Sequence, residues 1–181
     1  MRPLIVSCNV TVDGFMSGPD QSLDFIVSDR RHEDELAAAF GSVASTIVVG
    51  RQTFFDMAAY WPKVESDMAA WLNTTPKVVL STDVDVDVGA WNNSSVAAGD
   101  GVGQVRRLKE AAGGGLVAFG GVRALRSLVA AYLVDEYWLK VSPTIVGRGG
   151  SMFADVIERR ALTLRSTKSF PSGVLALTYA M

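Results

Sequence analysis

One stretch of this sequence constrains the fold most, because an apolar run ends in two glycines and continues directly into a helical pattern. Residues 116–119 are apolar, which is typical of a short strand buried on both faces of a sheet. Gly120 and Gly121 follow, and apolar residues then recur at helical spacing, at Leu125, Leu128, Val129 and Tyr132. Residues 134–141 predict another strand. The predicted order is strand, glycine turn, helix, strand.

The paired glycine also indicates a chemical role. A strand that ends on two glycines and leads into a helix leaves backbone N–H groups at the helix N-terminus with no side chains in front of them. An anion, usually a phosphate, can approach such groups closely. The same two residues are equally compatible with a tight turn that binds nothing.

A second unit of this kind occurs at residues 46–57. A predicted buried strand ends there in Gly50, and a helix begins with Arg51 and Thr53 in its first turn. A third predicted strand, residues 77–82, ends in two hydroxyl residues. Ligands of open α/β sheets bind beyond the carboxyl ends of the strands. A diphosphate lying across both helix N-termini would use all of these groups.

An additional phosphate would find its own partners at the same edge. Arg51 beside Ser81 and Thr82 could distinguish a phosphorylated dinucleotide from its plain form. Each residue alone has a simpler explanation, since Arg51 could extend along the surface and Ser81 could cap a turn. Together these residues favour an anion site, because they converge at one edge of the sheet.

The remaining pattern predicts the fold class. It is an α/β protein, a three-layer sandwich with a mostly parallel central sheet, helices on both faces and a C-terminal antiparallel hairpin. Residues 83–89 alternate Asp with Val and could form either an edge strand or a loop. Other expected strands are residues 4–12, 94–98, 162–170 and 174–181, and other expected helices are residues 33–40, 66–72 and 102–109, with Asp29 as a cap before the first.

Composition narrows the possible partners. The 181 residues suit a single domain spanning residues 1–181. A net charge of −2 argues against binding nucleic acid or an anionic membrane, because it supplies no basic surface. One cysteine, Cys8, indicates a reduced cytoplasmic setting, and no apolar stretch is long enough to cross a membrane. We therefore expect a cytoplasmic protein that binds a small molecule.

Several chemistries lack the residues they need. The only histidine, His32, stands between Arg31 and Glu33 and is expected on the surface. Neither a nucleophile elbow nor a cluster of metal ligands is present in the sequence, so no metal is expected. Cys8 is expected to be a small core residue, because no cation lies near it in sequence to lower its pKa.

The sequence resembles the dihydrofolate-reductase-like superfamily, and more closely the reductase domain at the C-terminal end of riboflavin-biosynthesis deaminase–reductases. The resemblance implies an NADPH-dependent oxidoreductase, with an activity like that of dihydrofolate reductase or 5-amino-6-(5-phosphoribosylamino)uracil reductase. The matching segments follow the order of the family and are residues 6–15, 47–54, 77–81, 119–125, 133–136 and 143–153.

The resemblance also implies roles for particular residues toward NADPH. Gly50, Arg51 and Thr53 would hold phosphates of the cofactor, and Ser81, with Thr82 beside it, would read the 2′-phosphate together with Arg51. The residues expected near the pyrophosphate are Phe119, Gly120, Gly121, Val122, Arg123 and Leu125, and those expected near the nicotinamide are Asn9, Val10 and Met16.

The acceptor side of the family pattern is not matched in this sequence. Dihydrofolate reductases place a carboxylate after a Pro-Trp pair at the start of the first helix, where this sequence has Asp24 and Phe25. Asp24, Asp29 and Glu33 are alternative candidates for that carboxylate. Asp13 is a candidate functional acid near the nicotinamide, or simply part of an Asp-Gly turn. The loop at residues 18–24 could cover the site.

The predicted function is therefore hydride transfer from NADPH to a small heterocyclic substrate, similar to a pteridine or a pyrimidine riboside. Two alternatives stay open: dihydrofolate reduction itself, and a nucleotide-binding module of the same fold without turnover. The resemblance further implies a homodimer.

Overall fold

The sheet is the frame of the molecule, and its strands confirm the predicted fold class. The computed structural model describes residues 1–156 and 158–181, and in that part of the chain eight strands form one sheet. The strands are β1 (Leu4–Thr11), β2 (Ala44–Gly50), β3 (Lys77–Ser81), β4 (Ser94–Ala98), β5 (Gly115–Phe119), β6 (Glu136–Ser142), β7 (Thr163–Ser169) and β8 (Leu175–Ala180).

Strand order places β1 between β5 and β6, in the interior of the sheet. The order across the sheet is β4-β3-β2-β5-β1-β6-β8-β7. The first six strands in this order are parallel, whereas β8 runs antiparallel to both β6 and β7. Because the parallel strands all end at one edge, the residues that follow β1, β2, β3 and β5 meet there.

Helices cover both faces of the sheet. They are α1 (Arg30–Val43), α2 (Arg51–Tyr60), α3 (Asp67–Thr74), α4 (Gly101–Glu110) and α5 (Val122–Ala130). Phe40, Phe54 and Leu72 belong to the apolar cluster that joins the first three helices to one face. Val105 and Leu128 belong to the cluster that joins α4 and α5 to the other. The result is a three-layer sandwich.

Alternation along β1 divides its residues between these two faces. Leu4, Val6, Cys8 and Val10 belong to the cluster with α4 and α5, whereas Ile5 packs with α1, α2 and α3. In the part of the chain that the structure describes, no helix is long and apolar enough to span a bilayer.

Capping residues mark the starts of two helices. Asp29 caps α1, accepting a hydrogen bond of 3.0 Å from the backbone N–H of His32, as predicted. Ser66 caps α3 in the same way. Residues 83–89, for which strand and loop were both open, form a loop.

Candidate functional site

A cavity of about 1890 Å³ opens at the carboxyl edge of the parallel strands. It extends from the end of β3 across β2, β5 and β1 to β6 and β8, and α1 borders it. One drug-sized ligand fills roughly 300–1000 Å³. The cavity therefore has room for a dinucleotide and a second, smaller molecule side by side. We name the part around β2, β3 and β5 the phosphate end, and the part around α1, β6 and β8 the acceptor end.

The phosphate end contains two helix N-termini without side-chain caps. Gly50 precedes α2 and Gly121 precedes α5, and neither helix start receives a hydrogen bond from a capping side chain. The first N–H groups of a helix have no partner within the helix, so both sets are available to an anion. By contrast, the carboxylate of Asp100 caps α4, accepting from the N–H groups of Val102 and Gly103 at 3.0 Å.

The glycine turn after β5 cannot carry side chains without a rearrangement. Gly120 and Gly121 have φ of +43° and +70°, a region that L residues rarely adopt. A Cβ on Gly120 would lie 2.8 Å from Cγ2 of Thr53, and one on Gly121 would lie 2.9 Å from Oγ1 of the same residue. The close approach of this turn to α2 is what brings the two helix starts together.

Arg51 and Ser81 lie where an additional phosphate could bind. The Arg51 guanidinium forms an ion pair of 3.1 Å with the Asp83 carboxylate, and both side chains are about half exposed. The Ser81 hydroxyl accepts a hydrogen bond of 3.0 Å from the backbone N–H of Asp83, which leaves its own hydrogen free to donate. Asp83 therefore holds both groups in place and also competes for the arginine.

The structure brings twelve of the fourteen predicted cofactor residues together around the cavity. Their role as NADPH ligands stays a prediction. These residues are Asn9, Met16, Gly50, Arg51, Thr53, Ser81, Thr82, Phe119, Gly120, Gly121, Val122 and Arg123.

Val10 and Leu125 are not among the residues that line the cavity. Both side chains are buried in the apolar cluster beneath α4 and α5. Val10 lies on the face of β1 that packs beneath α4 and α5, and Leu125 lies on the inward face of α5. Resemblance of motifs locates a segment, but the packing of the segment decides which of its residues border a cavity.

The two predicted catalytic acids also lie outside this cavity. Asp13 accepts hydrogen bonds from the backbone N–H groups of Gly147, at 2.7 Å, and Val146, at 3.3 Å. The Thr11 hydroxyl and these N–H groups lower the pKa of Asp13. Asp24 is exposed and lines a separate cavity of about 340 Å³. Asp13 thus anchors the glycine-rich loop at residues 143–153, in keeping with the turn alternative.

Among the three alternative carboxylates, only Glu33 lines the main cavity. Asp29 instead receives hydrogen bonds from the Ser172 hydroxyl and from the backbone N–H of His32. The loop at residues 18–24 borders the cavity through Gly18, as a covering loop would.

His32 is buried, so the prediction of a surface histidine was wrong. Its side chain lines the cavity and packs edge-on against the Phe170 ring, with 5.3 Å between ring centroids. The Nδ1 atom has no hydrogen-bond partner among the residues that the structure describes. Burial, with the nearby Lys140 ammonium, lowers the pKa of His32 to about 4, so the ring is neutral at pH 7. Phe170 stands 138 positions further along the chain, which no local pattern reveals.

Lys140 and Trp138 were also missed by sequence reasoning. Both lie on β6 and line the acceptor end. Their alternation with apolar residues resembles that of any half-buried strand, so the sequence carries no signal that distinguishes them.

Cys8 also lines the cavity, as a buried thiol whose pKa burial raises to about 12. It is therefore a protonated core residue, as expected. Within the described part of the chain, no group of three or more His, Cys, Asp or Glu residues could hold a metal ion.

Comparisons with known proteins show which family shares this sequence. Residues 2–176 match the family model described as the RibD C-terminal domain. The Bacillus subtilis protein YyaP is 29% identical over 185 aligned residues, covering 98% of this chain and 94% of YyaP.

Solved structures of low sequence identity share the fold. A Shewanella sp. PV-4 protein assigned to riboflavin biosynthesis has a TM-score of 0.77 at 20% identity, covering 98% of both chains. The Thermotoga maritima diaminohydroxyphosphoribosylaminopyrimidine deaminase/5-amino-6-(5-phosphoribosylamino)uracil reductase has a TM-score of 0.70 at 14% identity, with 99% of this chain matched to 56% of that one. Enterococcus faecalis dihydrofolate reductase, complexed with NADP(H), has a TM-score of 0.61 at 15% identity, covering 98% of this chain and 95% of the reductase.

Proposed function

The chain belongs to the RibD C-terminal domain family, and from that premise we propose that it is an NADPH-dependent reductase. The proposed reaction is hydride transfer to a C=N or C=O bond of a small heterocyclic acceptor, of the pteridine or pyrimidine-riboside kind. The names of two structural neighbours support it, since one is a uracil-derivative reductase and the other a dihydrofolate reductase bound to NADP(H).

One observation carries the proposal. Two helices, α2 and α5, begin at glycines without side-chain caps, and both starts line the same cavity. A pyrophosphate is the ligand that would satisfy two such N-termini at once. Arg51 and Ser81 lie beside one of them, where they could bind a 2′-phosphate and so prefer NADPH over NADH.

The residues of the chain would bind, orient and exclude water. NADPH, when bound, would supply the hydride. Asn9 and Met16 line the cavity beside the central strand and would position the nicotinamide. The Gly150 carbonyl accepts a hydrogen bond of 2.7 Å from the backbone N–H of Met16. This bond would keep the glycine-rich loop over the reacting atoms.

Fluorescence titration of NADPH and NADH at several salt concentrations tests this proposal. We expect NADPH to bind about tenfold more tightly than NADH, because a charged hydrogen bond contributes about 1.5–3 kcal/mol. Arg51→Ala should remove that preference, while Arg106→Ala, on the exposed side of α4, should not. Equal binding of the two cofactors to the wild type would contradict the role of Arg51, and binding of neither would contradict the reductase.

A nucleotide-binding module without turnover is the second candidate. The placement of Asp13 and Asp24 outside the main cavity favours it. Single-turnover oxidation of bound NADPH, measured with pteridines, pyrimidine ribosides and dihydrofolate, separates the candidates. Oxidation with any of them would exclude the module, and oxidation by dihydrofolate alone would favour dihydrofolate reduction. The homodimer and the cytoplasmic location expected from the sequence stay predictions.

A further inference from the structure

Three lysines are buried in the part of the chain that the structure describes, and one of them differs from the other two. The Lys77 ammonium donates to the backbone carbonyls of Thr75, at 2.8 Å, and Asn92, at 3.0 Å. The Lys109 ammonium donates to the carbonyl of Leu133, at 2.6 Å, and to the Asp135 carboxylate.

Lys140 is only 7% exposed, yet it makes neither a hydrogen bond nor an ion pair with any residue that the structure describes. Buried polar groups are nearly always hydrogen-bonded within the protein. The other two buried lysines follow that rule. The Lys140 ammonium instead reaches the open cavity that its side chain lines, where a bound molecule can accept its hydrogen bonds.

The position of Lys140 separates it from the phosphate end. It pairs in register with Asn9 of the adjacent strand β1, where the nicotinamide is expected. Three strand spacings, about 14 Å, separate β6 from β2, which precedes the Arg51 turn. Lys140 therefore lies beside the expected position of the hydride and away from the two uncapped helix starts.

Glu33 supplies negative charge at the acceptor end, because its side chain lines the same cavity as Lys140. Burial lowers the pKa of Lys140, whereas the nearby carboxylates of Glu33 and Asp29 raise it. His32 is neutral at pH 7. An anion bound beside Glu33 would therefore be repelled by its carboxylate.

We propose that Lys140 determines acceptor specificity by donating a hydrogen bond to a neutral carbonyl oxygen of the acceptor ring. The Glu33 carboxylate then selects against acceptors that carry an anionic group at this point. The inference rests on the proposed reductase function, which makes this part of the cavity the acceptor end.

Binding of two probes to the protein–NADP⁺ complex tests this role. Lumazine, a neutral pteridine-2,4-dione at slightly acidic pH, presents ring carbonyls, and lumazine-6-carboxylate adds one negative charge. We expect Lys140→Met to weaken lumazine binding roughly tenfold or more, while NADP⁺ binding stays unchanged. Lys140→Arg should retain most of the affinity. Lys63→Met, which removes an exposed lysine that does not line the cavity, should have no effect.

Glu33→Gln supplies a second readout that does not depend on Lys140→Met folding. Wild-type protein should bind lumazine-6-carboxylate more weakly than lumazine, and Glu33→Gln should narrow that difference. The proposal is overturned if Lys140→Met binds lumazine as tightly as the wild type does, or if the carboxylated probe binds more tightly. It is also overturned if the wild type binds NADP⁺ but neither probe, which leaves the reductase proposal standing. Failure to bind NADP⁺ or NADPH would instead count against the reductase.

Discussion

The two ends of the cavity are built in different ways. At the phosphate end, backbone provides the site: Gly50 ends β2 and Gly121 closely follows β5, and each glycine directly precedes a helix. At the acceptor end, side chains provide the site: His32 comes from α1 and Lys140 from β6, and Phe170, in the turn between β7 and β8, packs against His32. Segments more than a hundred positions apart meet there.

The difference also appears in how each end satisfies its polar groups. Uncapped N–H groups at a helix start can form hydrogen bonds with water when no anion is bound. The phosphate end therefore lowers the stability of the folded protein only slightly. At the acceptor end, the Nδ1 atom of His32 is buried without a partner among the described residues, and the mostly buried Lys140 side chain brings an ammonium that none of them pairs with to the cavity. Such groups destabilise the folded state, which is typical of residues retained for function.

The largest expected effect comes from disturbing the backbone conformation of the phosphate end. Gly121→Ala would place a Cβ 2.9 Å from Thr53 Oγ1 at a φ of +70°. We expect it to weaken NADPH binding about a hundredfold, since strain of 1–3 kcal/mol adds to the lost approach of the anion. Gly147→Ala is the matched control, with a φ of +74° and open space around its Cβ. Fluorescence titration should show normal NADPH affinity for it, and equal losses in both variants would contradict a specific cradle.

A smaller effect should come from the buried histidine of the acceptor end. Burial lowers the pKa of His32 from 6.5 to about 4, so between these values the unfolded chain binds a proton that the folded protein does not. Stability should therefore be unaffected by His32 above pH 6.5 and should fall as the pH decreases toward 4, by about 2 kcal/mol. This loss of stability is smaller than that expected for a fully buried imidazole, because the His32 ring borders the open cavity.

Urea unfolding across this pH range, for the wild type and His32→Leu, measures that contribution. The variant should lose less stability than the wild type between the two pH values. Parallel curves for the two proteins would show that His32 is as solvated when folded as when unfolded, and would remove one of the costs assigned to the acceptor end.

The smallest expected effect concerns the ion pair at the phosphate end. Asp83 holds the Arg51 guanidinium at 3.1 Å and would compete with a 2′-phosphate. Asp83→Asn should tighten NADPH binding about threefold at low salt, and less at high salt, because both side chains are half exposed. NADH binding should not change. Asp85→Asn, in the same loop, removes an equal charge without touching Arg51, and an equal gain there would indicate a general charge effect.

Much of the fold could be predicted from local pattern. The strand that ends in Gly50, the Asp29 cap and the C-terminal hairpin all follow from residue types at short spacing, and the structure confirms them. Val10 could not be placed in this way, because Cys8 lies on the same face of β1 and lines the cavity whereas Val10 does not. Asp13 is placed by hydrogen bonds to a loop more than 130 positions away, and no local pattern predicts these.

The sequence by itself determined the layered α/β architecture and the glycine turns of the phosphate end. Hydrophobic period and left-handed φ values are local properties, and few residue types satisfy them. Only the tertiary structure decided that His32 is buried and that Glu33 and Lys140 face the same cavity. Strand order sets β6 beside β1, and the packing of α1 and the C-terminal hairpin over that face then creates the acceptor end. Burial and charge at this end are sums over distant segments, so no single segment records them.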